Sequence, residues 1–332
     1  MVHLIEFNGR YAALDVESGS VHAIDREAMR VLTFKNAGKT NAQIIDDLGG
    51  EAEGILQEID ELVAQGVLYS EPPKDIEKFA FNTPVIKALC LLVAQDCNLR
   101  CAYCFAGTGE YHQQRTLMSA ETAKKALDFL VANAGNRKNL EVDFFGGEPL
   151  MNFDVVRQTV EYGRALEKQH GKNMRFTLTT NAYHVTDEMA DFLNREMKNI
   201  VISMDGRKAV HDAMRKNAAG GETYDRVLKN AHKIVDGRNG GEYYIRGTYT
   251  HDNLDFSNDV LSIADEGFDQ ISLEPVVTGK EYAIRTEDLT QIKHEYDMLA
   301  REYLKREKDG KWFNFFHFMI DLNSGPCLNK RL

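Results

Sequence analysis

The sequence lacks any apolar run long enough to span a bilayer, and its opening residues lack the hydrophobic core of a signal peptide. We therefore expect a cytoplasmic protein with no membrane partner. Cysteine is scarce as well, with 5 among 332 residues. Because cytoplasmic thiols stay reduced, cysteines that cluster in such a chain indicate a metal or catalysis before disulfides.

The sequence also lacks an excess of positive charge. Its formal net charge is -11, and residues 1–75 hold 14 Asp and Glu against 6 Lys and Arg. A protein that binds nucleic acid needs a basic face to neutralise the phosphates. The charge balance therefore argues against a nucleic-acid partner.

Residues 1–75 have the pattern of a small α+β unit. Three short strands alternate apolar and polar residues around turn signals at residues 8–9 and 17–20. Three helical patterns follow, near residues 26–34, 40–48 and 51–64, the second with a capping box of Thr40 and Gln43. "GVLY" at residues 66–69 predicts a returning strand or wing. This order predicts a winged-helix module, and the paired prolines of "SEPPKD" predict a linker after it.

From Val85 onwards, six apolar strand patterns alternate with six amphipathic helix patterns. The strands are "IKALCLLVA", "LEVDFF", "RFTLTT", "NIVISM", "YYIRGTYT" and "ISLEPV". Such repeats indicate a parallel sheet covered by helices, which right-handed crossovers curl toward a barrel. We therefore assign residues 76–308 to an α/β fold, a partial (β/α)6 TIM-like barrel. Its chemistry is expected at the carboxyl ends of the strands.

Three cysteines follow the first of these strands. Cys97, Cys101 and Cys104 lie within the eight residues "CNLRCAYC". Three thiolates on one short loop can hold three corners of a [4Fe–4S] cluster and leave one iron open to another ligand. Zinc is the alternative, but it needs a fourth ligand, and the nearest histidine, His112, lies at no familiar spacing.

With an aromatic residue, Tyr103, before its last cysteine, this loop resembles the signature of radical S-adenosylmethionine (SAM) enzymes. Motifs after the later strands resemble the positions that bind SAM in that family. They comprise Gly146, Gly147, Glu148 and Pro149 of "GGEP", Asn181 of "TTN", Ser203 and Asp205 of "SMDG", Arg246 of "RGT" and Val276 of "LEPV". The resemblance covers residues 85 to about 308.

The resemblance implies a role for each motif. Glu148 and the glycine backbone would hold the methionine amine, Arg246 its carboxylate, and "SMDG" the ribose, while "LEPV" would line the adenine. A carboxylate for an ammonium and a guanidinium for a carboxylate are the matching charges. Taken alone, each motif has a plainer interpretation: a tight turn with Glu148 solvated, a helix cap, or a surface ion pair of Arg246.

The resemblance also implies a reaction. The cofactors would be a [4Fe–4S] cluster and SAM, with a low-potential electron donor such as flavodoxin, ferredoxin or dithionite. Reductive cleavage of SAM would yield a 5′-deoxyadenosyl radical that takes a hydrogen atom from an unactivated carbon. The protein would supply orientation and exclude water.

The front module resembles the peptide-recognition element of enzymes that modify ribosomally made peptides. There a leader peptide adds a strand to the three-stranded sheet. The expected edge strand carries Val21, Ala23 and Ile24. The acidic third helix, with Glu51 and Glu58, predicts a leader with positive charge, although a solvated helix face is the alternative.

Two further cysteines remain. Cys90, between leucines in the first barrel strand, is predicted to be a buried core thiol. "GPC" with Cys327 resembles the first cysteine of a SPASM extension, a region that carries auxiliary Fe–S clusters. We expect residues 309–332 to be the start of a truncated SPASM extension, with Cys327 a cluster ligand only where the full extension is present.

With "TNA", "SMDG", "RGTYT" and "GPCLNKRL", the chain is most similar to maturases of six-cysteine (SCIFF) peptides. The resemblance implies thioether crosslinks in a small Cys-rich precursor peptide with a basic leader. Two alternatives stay open. One is a sulfatase-maturing or other SPASM peptide oxidase; the other, from a different class, is an iron–sulfur winged-helix regulator.

Overall fold

The computed structural model describes residues 2–71 and 85–319. Two compact units lie within residues 2–71 and 85–318. Cys327 and most of the predicted linker lie outside the described residues. None of the described helices combines the length and apolar character needed to cross a membrane.

The first unit has three strands followed by three helices, as predicted. They are β1 (Val2–Phe7), β2 (Arg10–Asp15), β3 (Val21–Ile24), α1 (Arg26–Asn36), α2 (Asn41–Leu48) and α3 (Glu51–Ala64). The strands form an antiparallel sheet in the order β1-β2-β3, so β3 lies at an edge. Asn8 and Gly9 both have positive φ, as a tight hairpin turn requires. The capping box of Thr40 and Gln43 begins α2, as predicted.

The prediction of a strand or wing at residues 66–69 is wrong. Gly66 and Tyr69 have φ of 70° and 48°, which a strand does not allow. Leu68 is instead buried in the core of this unit, and His22 Nε2 donates to the Val67 carbonyl oxygen at 2.8 Å. The segment therefore closes the core as an irregular turn, and the winged-helix assignment stays a prediction.

The second unit contains all six predicted strands and all six predicted helices. Its strands are β4 (Ala88–Gln95), β5 (Leu99–Cys101), β6 (Thr116–Leu117), β7 (Asn139–Gly146), β8 (Asn173–Thr180), β9 (Met197–Ser203), β10 (Arg215–Asn217), β11 (Glu242–Tyr249), β12 (Gln270–Pro275) and β13 (Asn314–Phe315). Its helices are α4 (Ala120–Asn133), α5 (Phe153–His170), α6 (Asp187–Glu196), α7 (Lys208–Met214), α8 (Tyr224–Asp236), α9 (Ser257–Asp265) and α10 (Leu289–Lys308). The short β5, β6, β10, β13 and α7 were not predicted.

The main sheet has the strand order β13-β12-β11-β9-β8-β7-β4-β6. The six long strands pair in parallel, and β4 and β12 do not pair with each other, so the α/β sheet is consistent with a partial TIM barrel. Side chains on one face, such as Phe144, Phe176 and Ile200, are buried in the core under the helices.

The opposite face of the sheet is more polar, and this corrects the prediction for Cys90. Cys90 is exposed, and it pairs in register with Asp143, its Sγ lying 3.9 Å from the Asp143 carboxylate. Thr177 of the next strand also donates to Asp143 at 2.7 Å. Because strand side chains alternate between faces, Cys90 points away from the helix-covered core despite its apolar neighbours.

Candidate active site

A cavity of about 550 Å³ opens at the carboxyl ends of the parallel strands. The predicted site residues that line it are Cys97, Cys101, Tyr103, Cys104, Gly146, Gly147, Asn181, Ser203, Arg246 and Val276. Glu148, Pro149 and Asp205 are buried and are not among its lining residues. Tertiary structure thus brings together motifs that are spread over 180 residues of sequence.

The cysteine loop is held by short-range bonds and by an unpredicted strand pair. The Leu99 N–H donates to Cys97 Sγ at 3.3 Å, and the Cys97 N–H donates to Asp96 at 2.7 Å. Strand β5 pairs antiparallel with β10, which places Cys101 opposite Arg215. These contacts fix the backbone of the loop.

The thiols lie in a partly desolvated setting. Burial, followed by the charge of Glu148, raises the pKa of Cys97 to about 12. Burial also raises the pKa of Cys101 to about 11, although the Arg215 cation opposes that shift. Burial thus disfavours the thiolate form of both groups, and the thiolate is the form that binds a metal.

The three cysteines face one cavity, as the ligands of a cluster do. A cubane cluster presents a separate iron to each thiolate, so its ligands only need to face one cavity. Cys97, Cys101 and Cys104 meet that condition.

The glycine pair packs against the segment that precedes the cysteine loop. Gly147 N–H donates to the Ala94 carbonyl at 2.7 Å, and Glu148 N–H donates to the Asp96 carbonyl at 2.9 Å. A Cβ on Gly146 would overlap the Ala94 carbonyl oxygen, and one on Gly147 would overlap that of Asp96. Only glycine allows this approach, which leaves bare backbone on the cavity wall.

Glu148 lies behind that wall. Its side chain is 2% exposed, so a solvated Glu148 is excluded. Its carboxylate accepts hydrogen bonds from Asn181 N (2.7 Å), Thr180 Oγ1 (2.8 Å) and Leu150 N (3.0 Å). Burial raises its pKa to about 7, against the opposing effect of these bonds. The carboxylate thus fixes the end of β8, and its contact with the methionine amine stays a prediction.

Asp205 also acts from behind the wall. It is fully buried, and its carboxylate accepts from Tyr103 Oη at 2.6 Å, Arg215 Nε at 3.0 Å and Thr248 N at 3.0 Å. The Arg215 guanidinium also lies 5.4 Å from the centre of the Tyr103 ring. The three side chains connect the cysteine loop to β9, β10 and β11. Sequence analysis missed Arg215, because its short strand carries no periodic signal.

The remaining predicted residues lie around the cavity rim. Asn181 Nδ2 donates to Asn98 at 2.8 Å and lies 3.5 Å from Cys97 Sγ. The Val276 N–H donates to the Tyr249 carbonyl at 2.9 Å, which fixes the chain after β12. Arg246 is exposed and faces Glu274, a lining residue that sequence analysis did not single out. Glu274 lies within "LEPV", so that motif was the sequence signal that could have identified it.

The predicted leader-binding residues all lie in the first unit. Val21 and Ala23 are exposed on the edge strand β3, while Ile24 is half-buried against the core. Glu51 and Glu58 are exposed on α3. A separate groove of about 470 Å³ between α2 and α3 is lined by other acidic residues, including Glu53, Asp60 and Glu61.

Comparison with known proteins agrees with this geometry. Residues 91–254 match the Radical SAM superfamily. The radical SAM cyclopropyl synthase TigE of Paramaledivibacter caminithermalis is 22% identical over 74% of this chain and 55% of its own length. The cysteine-type anaerobic sulfatase-maturating enzyme of Clostridium novyi is 28% identical over 44% of this chain and 40% of its own.

Among solved structures, native anSMEcpe with bound AdoMet and Cp18Cys peptide has a similar fold, with a TM-score of 0.61 at 21% identity. The match covers 71% of this chain and 64% of that chain. The chain spans about half the length of TigE and of the Clostridium novyi enzyme. Residues 91–254 thus match the radical SAM superfamily, a family whose cofactors are a [4Fe–4S] cluster and SAM.

Proposed function

We propose that this protein modifies a ribosomally made, Cys-rich peptide by forming thioether bonds between a Cys sulfur and a carbon of another residue. The supporting observation is one cavity that joins three thiols to a wall of bare glycine backbone and opens through apolar residues. When bound, the cofactors supply the removal of a hydrogen atom from an unactivated carbon.

Different residues of the cavity have different roles in this proposal. Cys97, Cys101 and Cys104 hold the cluster. Backbone groups of Gly146 and Gly147, with Ser203, Arg246 and Val276, bind SAM. The buried carboxylates of Glu148 and Asp205 fix the elements that carry these groups, since each accepts three hydrogen bonds from neighbouring segments.

The mouth of the cavity suits a peptide. Phe105, next to the last cluster cysteine, is 72% exposed, and Val277, after β12, is 96% exposed. Both line the cavity. Apolar side chains exposed at a cavity entrance are typical of a surface that a partner covers.

The first unit supplies a second contact in this proposal. The outer edge of β3 accepts an extended leader segment by strand addition, and backbone pairing there provides affinity. The exposed Glu51 and Glu58 on α3 favour a basic leader, and raised salt is expected to weaken its binding. A DNA gel shift with the same unit tests the regulator alternative, which the acidic balance disfavours.

The test is anaerobic reconstitution followed by reduction with dithionite in the presence of SAM and a candidate Cys-rich peptide. We expect the visible absorbance of an iron–sulfur cluster, 5′-deoxyadenosine, and a peptide that loses two hydrogens and one alkylatable thiol per bridge. Changing Cys97, Cys101 or Cys104 to Ala abolishes all three. Cys90→Ala is the matched control, because its thiol lies outside the cavity lining, and it retains them.

The sulfatase-type alternative is favoured by the similarity to the Clostridium novyi enzyme. Oxidation of a Ser side chain to an aldehyde also removes two hydrogens, so for a Ser target mass alone does not separate the two. A Cys side chain that becomes an aldehyde also exchanges its sulfur for oxygen, and its mass change therefore differs from that of a thioether. An aldehyde reacts with a hydrazide probe, whereas a thioether does not. A hydrazide-reactive product would show that the protein oxidises a side chain, and that activity would then replace crosslinking as the proposed function.

A further inference from the structure

Glu274 is an unassigned carboxylate on the cavity wall, and it belongs to a chain of titratable groups. It lies near the end of β12 with its side chain 31% exposed. Ser272 Oγ donates to Glu274 Oε1 at 2.7 Å, and His317 Nε2 lies 3.1 Å from Glu274 Oε2. Both carboxylate oxygens thus have a partner in the protein, while part of the side chain is exposed to the cavity.

His317 continues the chain away from the cavity. Its Nδ1 lies 2.7 Å from the hydroxyl of Tyr296 on α10. In the neutral ring, Nε2–H donates to Glu274 and Nδ1 accepts from Tyr296; in the charged ring, both nitrogens donate. Both protonation states therefore keep both hydrogen bonds, so His317 holds the Glu274 carboxylate in either state.

We propose that Glu274 accepts the proton that the substrate thiol releases as the carbon–sulfur bond forms, and that His317 positions Glu274. This inference rests on the proposed function. It assigns the acid–base part of the reaction, which none of the cluster or SAM residues provides.

The cofactor, when bound, would remove one hydrogen atom from the substrate carbon. The S–H bond breaks, its proton passes to Glu274, and its electron pair forms the new C–S bond. One electron is then in excess and passes to a one-electron acceptor of the iron–sulfur class. The peptide is oxidised by two electrons in total.

The surroundings keep Glu274 ionised, as a group that accepts a proton must be. Burial alone would raise its pKa, but hydrogen bonds from Ser272 and His317, with the charges of His317 and Arg246, hold the pKa below the usual range. Tyr249 and Tyr296 also face this group, and burial raises the pKa of both phenols, so they stay neutral.

The experiment compares the wild-type holoenzyme with Glu274→Gln, which preserves side-chain shape and can still accept from His317. Glu287→Gln is the matched control, since Glu287 is exposed and outside the cavity lining. Formation of 5′-deoxyadenosine and of crosslinked peptide is followed from pH 5.5 to 9. We expect Glu274→Gln to keep cluster absorbance and cofactor cleavage and to lose crosslinking by about 100-fold or more.

His317→Gln supplies a readout that a purely structural role would not move. We expect the acidic limb of the crosslinking profile to shift to higher pH than in the wild type, because the hydrogen bond and the charge of His317 lower the pKa of Glu274. Crosslinking by Glu274→Gln at the wild-type rate, or loss of cofactor cleavage in parallel with crosslinking, would overturn the inference. Absence of any modified peptide from the wild-type enzyme would refute the proposed function and the inference together.

Discussion

Replacing Arg215 by Met should strongly destabilise the second unit. The change removes the cation beside Asp205 and leaves a side chain long enough to keep contact with the Tyr103 ring. Asp205 is 0% exposed, and the Arg215 side chain is 9% exposed, so water cannot readily replace the lost partner. Asp205 keeps its hydrogen bonds from Tyr103 and Thr248.

The size of the effect follows from that geometry. The Arg215 Nε and Asp205 Oδ2 atoms are 3.0 Å apart, and at an effective dielectric constant of about 20 such charges attract by about 5 kcal/mol. The two remaining donors offset part of this loss. We therefore expect a decrease of about 3–5 kcal/mol in the free energy of unfolding, the range seen when a buried ion pair loses one partner.

Trp312 makes this effect measurable. It is the one tryptophan of the chain and lies in the second unit, so its fluorescence reports unfolding of that unit. The urea midpoint should fall by about 1 M or more. The double variant Asp205→Asn with Arg215→Met should be more stable than Arg215→Met alone, because no buried charge is left unpaired.

Arg157→Met is the matched control. Arg157 pairs with Asp154 at 3.2 Å, but the two side chains are 44% and 79% exposed, and such a pair contributes less than about 1 kcal/mol. If Arg215→Met proved as mild as Arg157→Met, Asp205 would not be an unscreened buried charge, and the account of the loop anchor would be wrong.

Three further results are expected. Gly147→Ala forces a Cβ onto the Asp96 carbonyl, so urea unfolding should show a loss of about 1–3 kcal/mol and reconstitution should yield less cluster absorbance. Burial raises the pKa of Glu148 from 4.5 to about 7, so the stability it contributes is full below pH 4.5 and is lost as the pH rises through 7. Glu148→Gln should therefore flatten the dependence of the urea midpoint on pH in the metal-free protein. Glu51→Lys and Glu58→Lys should each weaken binding of a basic leader by up to about fivefold in fluorescence anisotropy at low salt, and the effect should vanish at high salt.

Much of the architecture was predictable because it depends on local signals. Apolar runs and amphipathic periods located the six long strands and six helices of the barrel. The capping box at Thr40 located the start of α2. The rule that chemistry gathers at the carboxyl ends of parallel strands then placed the cysteine loop and the later motifs on one side of the sheet.

Prediction failed where the direction of a side chain depends on distant partners. The apolar neighbours of Cys90 favoured burial, but the strand register placed it beside Asp143 on the polar face. "GVLY" has the composition of a strand, but Leu68 packs in the core of the first unit and the segment forms a turn. Short elements such as β10 are fixed by pairing across the fold, so their sequences carry little information.

The sequence by itself determined the fold class and the motifs that line one cavity, since hydrophobic period and strand-end motifs are local properties of the chain. Only the tertiary structure decided that Glu148 and Asp205 face inward as braces, that Arg215 is the cation beside the loop, and that Glu274 meets His317. These contacts join side chains of different elements, and their partners follow from desolvation and packing.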